Sequence, residues 1–243
     1  MCSTIAEPTS REDFMVPRQL KKFMLFKGLN EKELGAVSKF IQKKDMPANN
    51  VILAEGAGGG KTLYMINKGK VKVSRMNQEG QEVVLTILGK GDFFGEMSLI
   101  DGSKKSADVT TVEASQVLAI PGKDFMTLLK KHHKVSMNLM QVLCRRIRRS
   151  DSQIKSLTLM NGVGRIASTL LRLSQPDGET KPTRKAQRIA KLPSREILSN
   201  MSGTTVPMIK KTLELFVKTG YAVKDGRCFT VKNPAAFHDM YCV

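Results

Sequence analysis

The run from Phe94 to Ala107 (Phe-Gly-Glu-Met-Ser-Leu-Ile-Asp-Gly-Ser-Lys-Lys-Ser-Ala) combines an anion cradle with an acidic side chain that an anion would ordinarily repel. A short helix opening at Gly95 turns the backbone N–H groups of Gly95, Glu96, Met97 and Ser98 towards a phosphate, because the first N–H groups of a helix find no acceptor within it. Lys105 adds a cation, and the pair Ser106-Ala107 adds a hydroxyl donor. Glu96 can then accept from a ribose hydroxyl. Only a ligand that carries both a phosphate and hydroxyls uses all of these groups. The competing reading is an ordinary strand-turn-helix connection with no ligand.

A second Gly-rich stretch, Glu55-Gly56-Ala57-Gly58-Gly59-Gly60-Lys61-Thr62, nearly spells a nucleoside-triphosphatase phosphate loop. That motif needs glycine where Glu55 stands, and a carboxylate there would face the phosphates; strand residues, not a helix, follow it. The stretch reads as a flexible turn between strands. A nucleotide-hydrolysing enzyme is the remote alternative, and no acid/base or metal constellation accompanies it.

Around these residues the hydrophobic spacing predicts the scaffold. From Leu20 to Gln42, Phe23, Phe26, Leu29, Leu34, Val37, Phe40 and Ile41 fall at helical spacing and give a short helical entry. From Val51 to Ile120, short β-rich runs alternate with Gly, Asn and Asp turns, the signature of an antiparallel barrel or jelly roll. Helical spacing returns from Lys123 to Met160, interrupted near His132-His133-Lys134. Heptad counting places Met140, Ile147 and Ile154 at a and Leu143, Ser150 and Leu157 at d, a seam that pairs two parallel helices, so a homodimer is expected. Ser150 is the one hydroxyl in that seam, with Asp151 beside it; a single polar position can simply set register. Asn161-Gly162 reads as a left-handed cap and hinge. Gly164-Arg165-Ile166-Ala167 then opens a helix through Leu173, which Pro176-Asp177-Gly178 breaks. The basic stretch Lys181 to Lys191 is a loop or a strand edge.

A second functional constellation lies near the C-terminus. Ser194 to Met201 reads as a capped helix, Ser202-Gly203-Thr204 as a tight turn, and Thr205 to Lys218 as a second helix with Ile209, Leu213 and Phe216 inward. This is helix-turn-helix spacing, with Thr205 as N-cap and Pro207 tolerated only in the first turn. Gly220 to Val223 and Cys228 to Val231 flank Asp225-Gly226, a hairpin signal suited to the wing of a winged helix. The second helix would present Thr205, Val206, Pro207, Lys210 and Lys211 to the major groove, while Ser194, Arg195 and Thr204 are placed for phosphate.

Charge points the same way. The chain has 243 residues with 40 Lys plus Arg against 22 Asp plus Glu, a formal net charge of +18. Residues up to Val163 hold 26 basic and 16 acidic side chains and the remainder 14 and 6, so the C-terminal part is the more densely positive. A polyanionic partner is expected, and double-stranded DNA suits the helix-turn-helix. No apolar run is long enough to span a bilayer, and the first 17 residues lack the pattern of a signal peptide, so no membrane partner and a cytoplasmic location are expected. The four cysteines, Cys2, Cys144, Cys228 and Cys242, are scattered without a CxxC pair.

With these motifs in this order, the chain from roughly Leu20 to Asn233 resembles the cyclic AMP receptor protein/FNR family of transcription regulators, and Phe94 to Ala107 looks like the phosphate-binding cassette of cyclic-nucleotide-binding domains. The resemblance implies an α+β fold: an N-terminal β-roll/jelly-roll cyclic-nucleotide-binding domain, a long dimerisation helix and a C-terminal winged helix-turn-helix. The boundaries expected are a flexible leader over 1–17, the sensor domain over 18–122, the helical region over 123–161 and the DNA-binding domain over 162–243. It implies no catalysis, a cyclic nucleotide as effector with cyclic AMP first, and RNA polymerase as a further partner. No metal, haem or iron-sulfur cluster is expected, since the cysteines do not form the close N-terminal cluster an iron-sulfur member needs. In the family, the positions of Ser150 and Asp151 face the purine, one from each subunit. Three departures stand out. Lys105 replaces the arginine that usually precedes the Ser-Ala pair, which keeps the charge but loses the bidentate fork. Asp151 replaces a small hydroxyl and bears on the identity of the base, since a carboxylate prefers amino or imino donors. Val206 and Pro207 replace an arginine and a glutamate, so the operator should differ. Constitutive DNA binding with an empty pocket, or another ligand such as cyclic di-GMP, are the alternatives.

Overall fold

The chain enters through a short helix α1 (Pro17–Leu20), a 3-10 turn over Met24–Phe26 and α2 (Glu31–Ser38), where the apolar spacing suggests helical structure as far as Gln42. Asn30 restarts the helix with a reciprocal cap: its Oδ1 accepts from Glu33 N–H at 2.9 Å, and Glu33 Oε2 accepts from Asn30 N–H at 2.7 Å. Strand β1 (Gln42–Met46) follows. Its sequence, QKKDM, is almost wholly exposed and carries no alternating apolar signal, which is why spacing alone passes over it. After it come β2 (Val51–Leu53), β3 (Thr62–Lys68), β4 (Val71–Met76), β5 (Glu82–Leu88), β6 (Phe93–Phe94), α3 (Met97–Ile100), β7 (Asp108–Thr111), β8 (Ser115–Pro121), α4 (Gly122–Lys131) and α5 (His133–Leu159). The C-terminal part adds α6 (Gly162–Ser174), β9 (Gln187–Ile189), α7 (Arg195–Ser202), α8 (Val206–Lys218), β10 (Ala222–Asp225), β11 (Cys228–Val231) and α9 (Pro234–Tyr241).

This computed structural model describes residues 17–58, 61–174 and 184–242. The leader up to residue 16, Gly59-Gly60 of the Gly-rich stretch, the break at Pro176-Asp177-Gly178 and the start of the basic stretch lie outside the described residues. The chain divides into two compact units, one holding the residues up to Val71 with Leu88–Met140, the other Lys72–Ile87 with the residues from Gln141 on.

In the first unit an antiparallel sheet runs in the order β1-β8-β3-β6. Leu63, Met65 and Ile66 on β3 and Val117, Leu118 and Ile120 on β8 are fully buried, and their register (Leu63 opposite Ile120, Met65 opposite Leu118) puts large apolar pairs side by side. β1 lies at the open edge, where Lys43 and Lys44 discourage further strand pairing. β2 pairs with β7, and β7 leads out of the Lys105 region.

In the second unit β4 and β5 form a hairpin closed by Asn77 to Gly80, with Lys72 Nζ 2.7 Å from Glu82 Oε2. The core of the C-terminal part gathers Ile166 and Leu170 of α6, Ile209, Leu213 and Phe216 of α8, Phe229 of β11 and Phe237 of α9. β9 pairs with β11, so the end of the basic stretch is a strand, in the order β10-β11-β9. Helix α9 carries no part of the sequence reading. It is held by an aromatic cluster in which Phe216 meets Phe237 and Tyr241, each with ring centroids 4.7 Å apart. The junction between α5 and α6 also differs from expectation. Neither Asn161 nor Gly162 takes a left-handed conformation; Asn161 Oδ1 accepts from Gly164 N–H at 2.9 Å and so starts α6 instead of ending α5.

Candidate nucleotide site and nucleic-acid interface

The cassette begins at a backbone feature that only glycine fills comfortably. Gly95 has φ +88°, and a Cβ there would stand 2.8 Å from Thr62 O. Its carbonyl and α3 then set the next side chains. Ser98 Oγ accepts from Lys105 Nζ at 2.5 Å, so the lysine crosses the first turn of α3, whose Met97 and Ser98 N–H groups have no acceptor within the helix. Glu96 is 2% exposed and Lys105 8% exposed. Burial lowers the pKa of the Lys105 ammonium below the ordinary lysine value, and the Glu96 carboxylate beside it opposes that shift. Ser106 is exposed and Ala107 buried.

Gly95, Glu96, Met97, Ser98, Lys105, Ser106 and Ala107 therefore form one cluster in the first unit. The sequence reading missed what supports it. Gly56 N–H donates to Lys105 O at 2.8 Å, Lys105 N–H reaches Ala57 O at 3.5 Å, and Glu55 N–H donates to Asp108 Oδ1 at 2.7 Å. The first half of the Gly-rich stretch is thus the backing of the cassette, holding the backbone on either side of the lysine. The stretch that nearly spells a phosphate loop works through its backbone as a support. Phe94, the residue before Gly95, stacks on Tyr64 with centroids 5.3 Å apart and planes at 16°.

Ser150 and Asp151 belong to the second unit's stretch of α5 and are exposed; Ser150 Oγ donates back to Arg146 O at 3.2 Å. On the same helix Met140, Ile147, Ile154 and Leu157 are 47–61% exposed. An apolar stripe of that length on one helix is the kind of face that a second parallel helix covers.

The helix-turn-helix is built as spacing suggests, with two differences. Ser194 caps α7, its Oγ accepting from Ile197 N–H at 3.3 Å, and Arg195 beside it is exposed. Gly203 takes φ +58° and ψ +42° and turns the chain into α8. Thr205 is the N-cap residue of α8 by position, but its side chain makes no capping bond. Thr204 faces inward: its hydroxyl lies 2.7 Å from Ser202 Oγ, which donates to Leu198 O, so the Thr204 proton is engaged inside the turn. Ile209, Thr212, Leu213 and Phe216 are buried, while Pro207, Lys210 and Lys211 are exposed and Val206 half-buried. A residue the spacing did not single out holds this motif to α6. Arg165 donates to Ser202 O and Gly203 O at 3.0 Å each and to Met160 O at 3.2 Å.

An antiparallel sensor with this cassette and a winged helix-turn-helix define a class of ligand-responsive transcription regulators. A model of the cyclic nucleotide-binding domain matches residues 43–132. The cAMP-activated global transcriptional regulator CRP of Haemophilus influenzae is 36% identical over 173 residues, covering 69% of this chain and 75% of that protein. The CRP-like cAMP-activated global transcriptional regulator of Mycobacterium tuberculosis is 28% identical over 209 residues, covering 86% and 92%. The crystal structure of the Thermus thermophilus catabolite activator protein superposes with a TM-score of 0.51 at 28% identity, covering 89% of this chain and 97% of that one. The chain belongs to the cyclic AMP receptor protein/FNR family of transcription regulators, a family of regulators and not of enzymes. No helix among the described residues is long and apolar enough to cross a membrane.

Proposed function

We propose that this chain is a homodimeric transcription regulator whose effector is cyclic AMP and whose target is duplex DNA. The observation that carries the reading is the convergence of buried Lys105, buried Glu96 and Ser98 on the opening turn of α3. The ammonium and the Met97 and Ser98 N–H groups take the cyclic phosphate, and Glu96 accepts from the ribose hydroxyl. Phosphate arriving beside Lys105 restores charge stabilisation that burial removes. Ser150 and Asp151 meet the base, the pair of α5 helices carries the change, and Arg195, Lys210 and Lys211 engage DNA in the cytoplasm, with RNA polymerase recruited from the DNA-bound state. The names of the Haemophilus and Mycobacterium relatives support cyclic AMP as the effector.

Signal reaches output only through unequal binding of the effector to two packings of the dimer. The test is calorimetric titration of cyclic AMP, cyclic GMP and cyclic di-GMP into the full chain and its Lys105→Ala and Glu96→Gln variants. Cyclic AMP should bind wild type most tightly. A lost charge-assisted contact is worth about 1.5–3 kcal/mol, so Lys105→Ala should weaken binding roughly ten- to a hundredfold, and Glu96→Gln less. Unchanged affinity in both variants would remove the cassette assignment, and tighter binding of cyclic di-GMP would replace the effector.

A further inference from the structure

Within the second unit, the C-terminal half of α5 and one face of α6 enclose a cleft of about 320 Å³ that the regulatory reading does not use. Its cationic lining is Arg145, Arg148, Arg149 and Lys155 from α5 with Arg165 and Arg172 from α6, and among the described residues no Asp or Glu lines it. Leu157, Met160, Leu171 and Met201 supply apolar wall.

Six cations around one small cleft call for an explanation, because like charges drawn together cost free energy unless something neutralises them. Arg149 is not without a partner within the chain, and Arg165 is explained, since its guanidinium is taken up by three backbone carbonyls. Arg172 is not. Among the described residues its one recorded side-chain partner is Gln153 Oε1 at 2.9 Å, a neutral acceptor. Burial and then the nearby Arg149 push its pKa below the ordinary arginine value, and no carboxylate among the described residues opposes them. The volume falls in the range of small-molecule pockets. The first-turn residues of α8 that suit the major groove, Val206, Pro207, Lys210 and Lys211, do not line it.

We infer that this cleft is a second ligand site, separate from the cassette, for a small molecule carrying two or more phosphate charges and a ring, the chemistry of a nucleoside polyphosphate. The arginines of α5 and Arg172 take the phosphates bidentately, and the ring lies on the Met160 side of the wall, off the dimer seam. Because α6 starts the DNA-binding part of the chain and α5 carries the dimer seam, occupancy would tie the two together.

The test uses the full chain and two probes, inorganic pyrophosphate and ATP without added metal, titrated by calorimetry at fixed ionic strength. Wild type should bind both, with ATP the tighter because it adds the ring. Arg148→Gln combined with Lys155→Gln, both exposed and off the heptad seam, should weaken pyrophosphate at least about tenfold without changing the fold. Arg172→Gln should weaken it further. Lys105→Ala should leave pyrophosphate binding intact while impairing cyclic AMP binding, which separates this site from the cassette. Absence of binding, equal binding by the Arg148/Lys155 variant, or loss with Lys105→Ala would each overturn the inference. So would a Arg148/Lys155 variant that keeps pyrophosphate affinity but shows a shallower salt dependence of DNA binding, since the cleft would then serve the DNA backbone.

Discussion

Lys105 decides how the cassette behaves with pH. Its ammonium titrates below the ordinary lysine value because burial outweighs the help of Glu96. In the free protein it therefore loses its proton earlier in the alkaline range than an exposed lysine does, while bound phosphate holds the proton on. Cyclic AMP affinity should thus be constant near neutrality and fall as pH rises through the lowered pKa, with a proton taken up on binding above it. Lys105→Arg should remove that fall, since a guanidinium stays charged, and hold or raise affinity at neutral pH through its fork. Calorimetry in buffers of different ionisation enthalpy measures both effects; an identical alkaline profile for the two proteins would mean that Lys105 does not carry the phosphate. The types and order of these residues were legible in the sequence. Their support was not, because Gly56 and Ala57 act through backbone groups, which leave no mark on residue type.

At the scale of elements, α5 and α8 make separable predictions. The seam on α5 leaves Ile147 61% exposed in one chain. Ile147→Glu should give a monomer by light scattering, because two carboxylates would meet in an apolar seam; a stable dimer would place the pairing elsewhere. On the helix-turn-helix, Arg195→Ala should weaken binding to all sequences alike and lower the salt slope by about 0.9, one phosphate's worth. Val206→Arg with Pro207→Glu should instead change which sequence is preferred, each good bidentate pair being worth about 1–3 kcal/mol of discrimination. Selection of bound sequences before and after that change reads the difference, and an unaltered preferred site would take α8 out of the groove. The strongly periodic helices α5 and α8 could be read from spacing. β1 could not, since its QKKDM sequence has no apolar alternation, and α9 is short and defined by the aromatic contacts of Phe237 and Tyr241 made across the fold. Asn161 departs from expectation for a related reason: the same side chain can end one helix or start the next, and only its bond to Gly164 N–H decides.

For the whole molecule, the proposed function requires what neither domain supplies alone: nucleotide held at Lys105 and Glu96 must change the affinity of α7 and α8 for DNA. Binding at both ends without coupling would leave a sensor and a DNA-binding domain that happen to share a chain. The coupling is reciprocal, so an effector that tightens DNA binding must itself be bound more tightly when DNA is present. A coupling of about 1–3 kcal/mol corresponds to a change of roughly 5- to 150-fold in either affinity. Fluorescence anisotropy of a selected operator duplex, titrated with the full chain at increasing cyclic AMP and constant salt, measures it directly. The predicted result is an operator affinity that rises by a factor in that range and saturates with the nucleotide, with the rise lost in Lys105→Ala while its nucleotide-free affinity stays that of wild type. An operator affinity that is the same with and without saturating cyclic AMP would contradict the account.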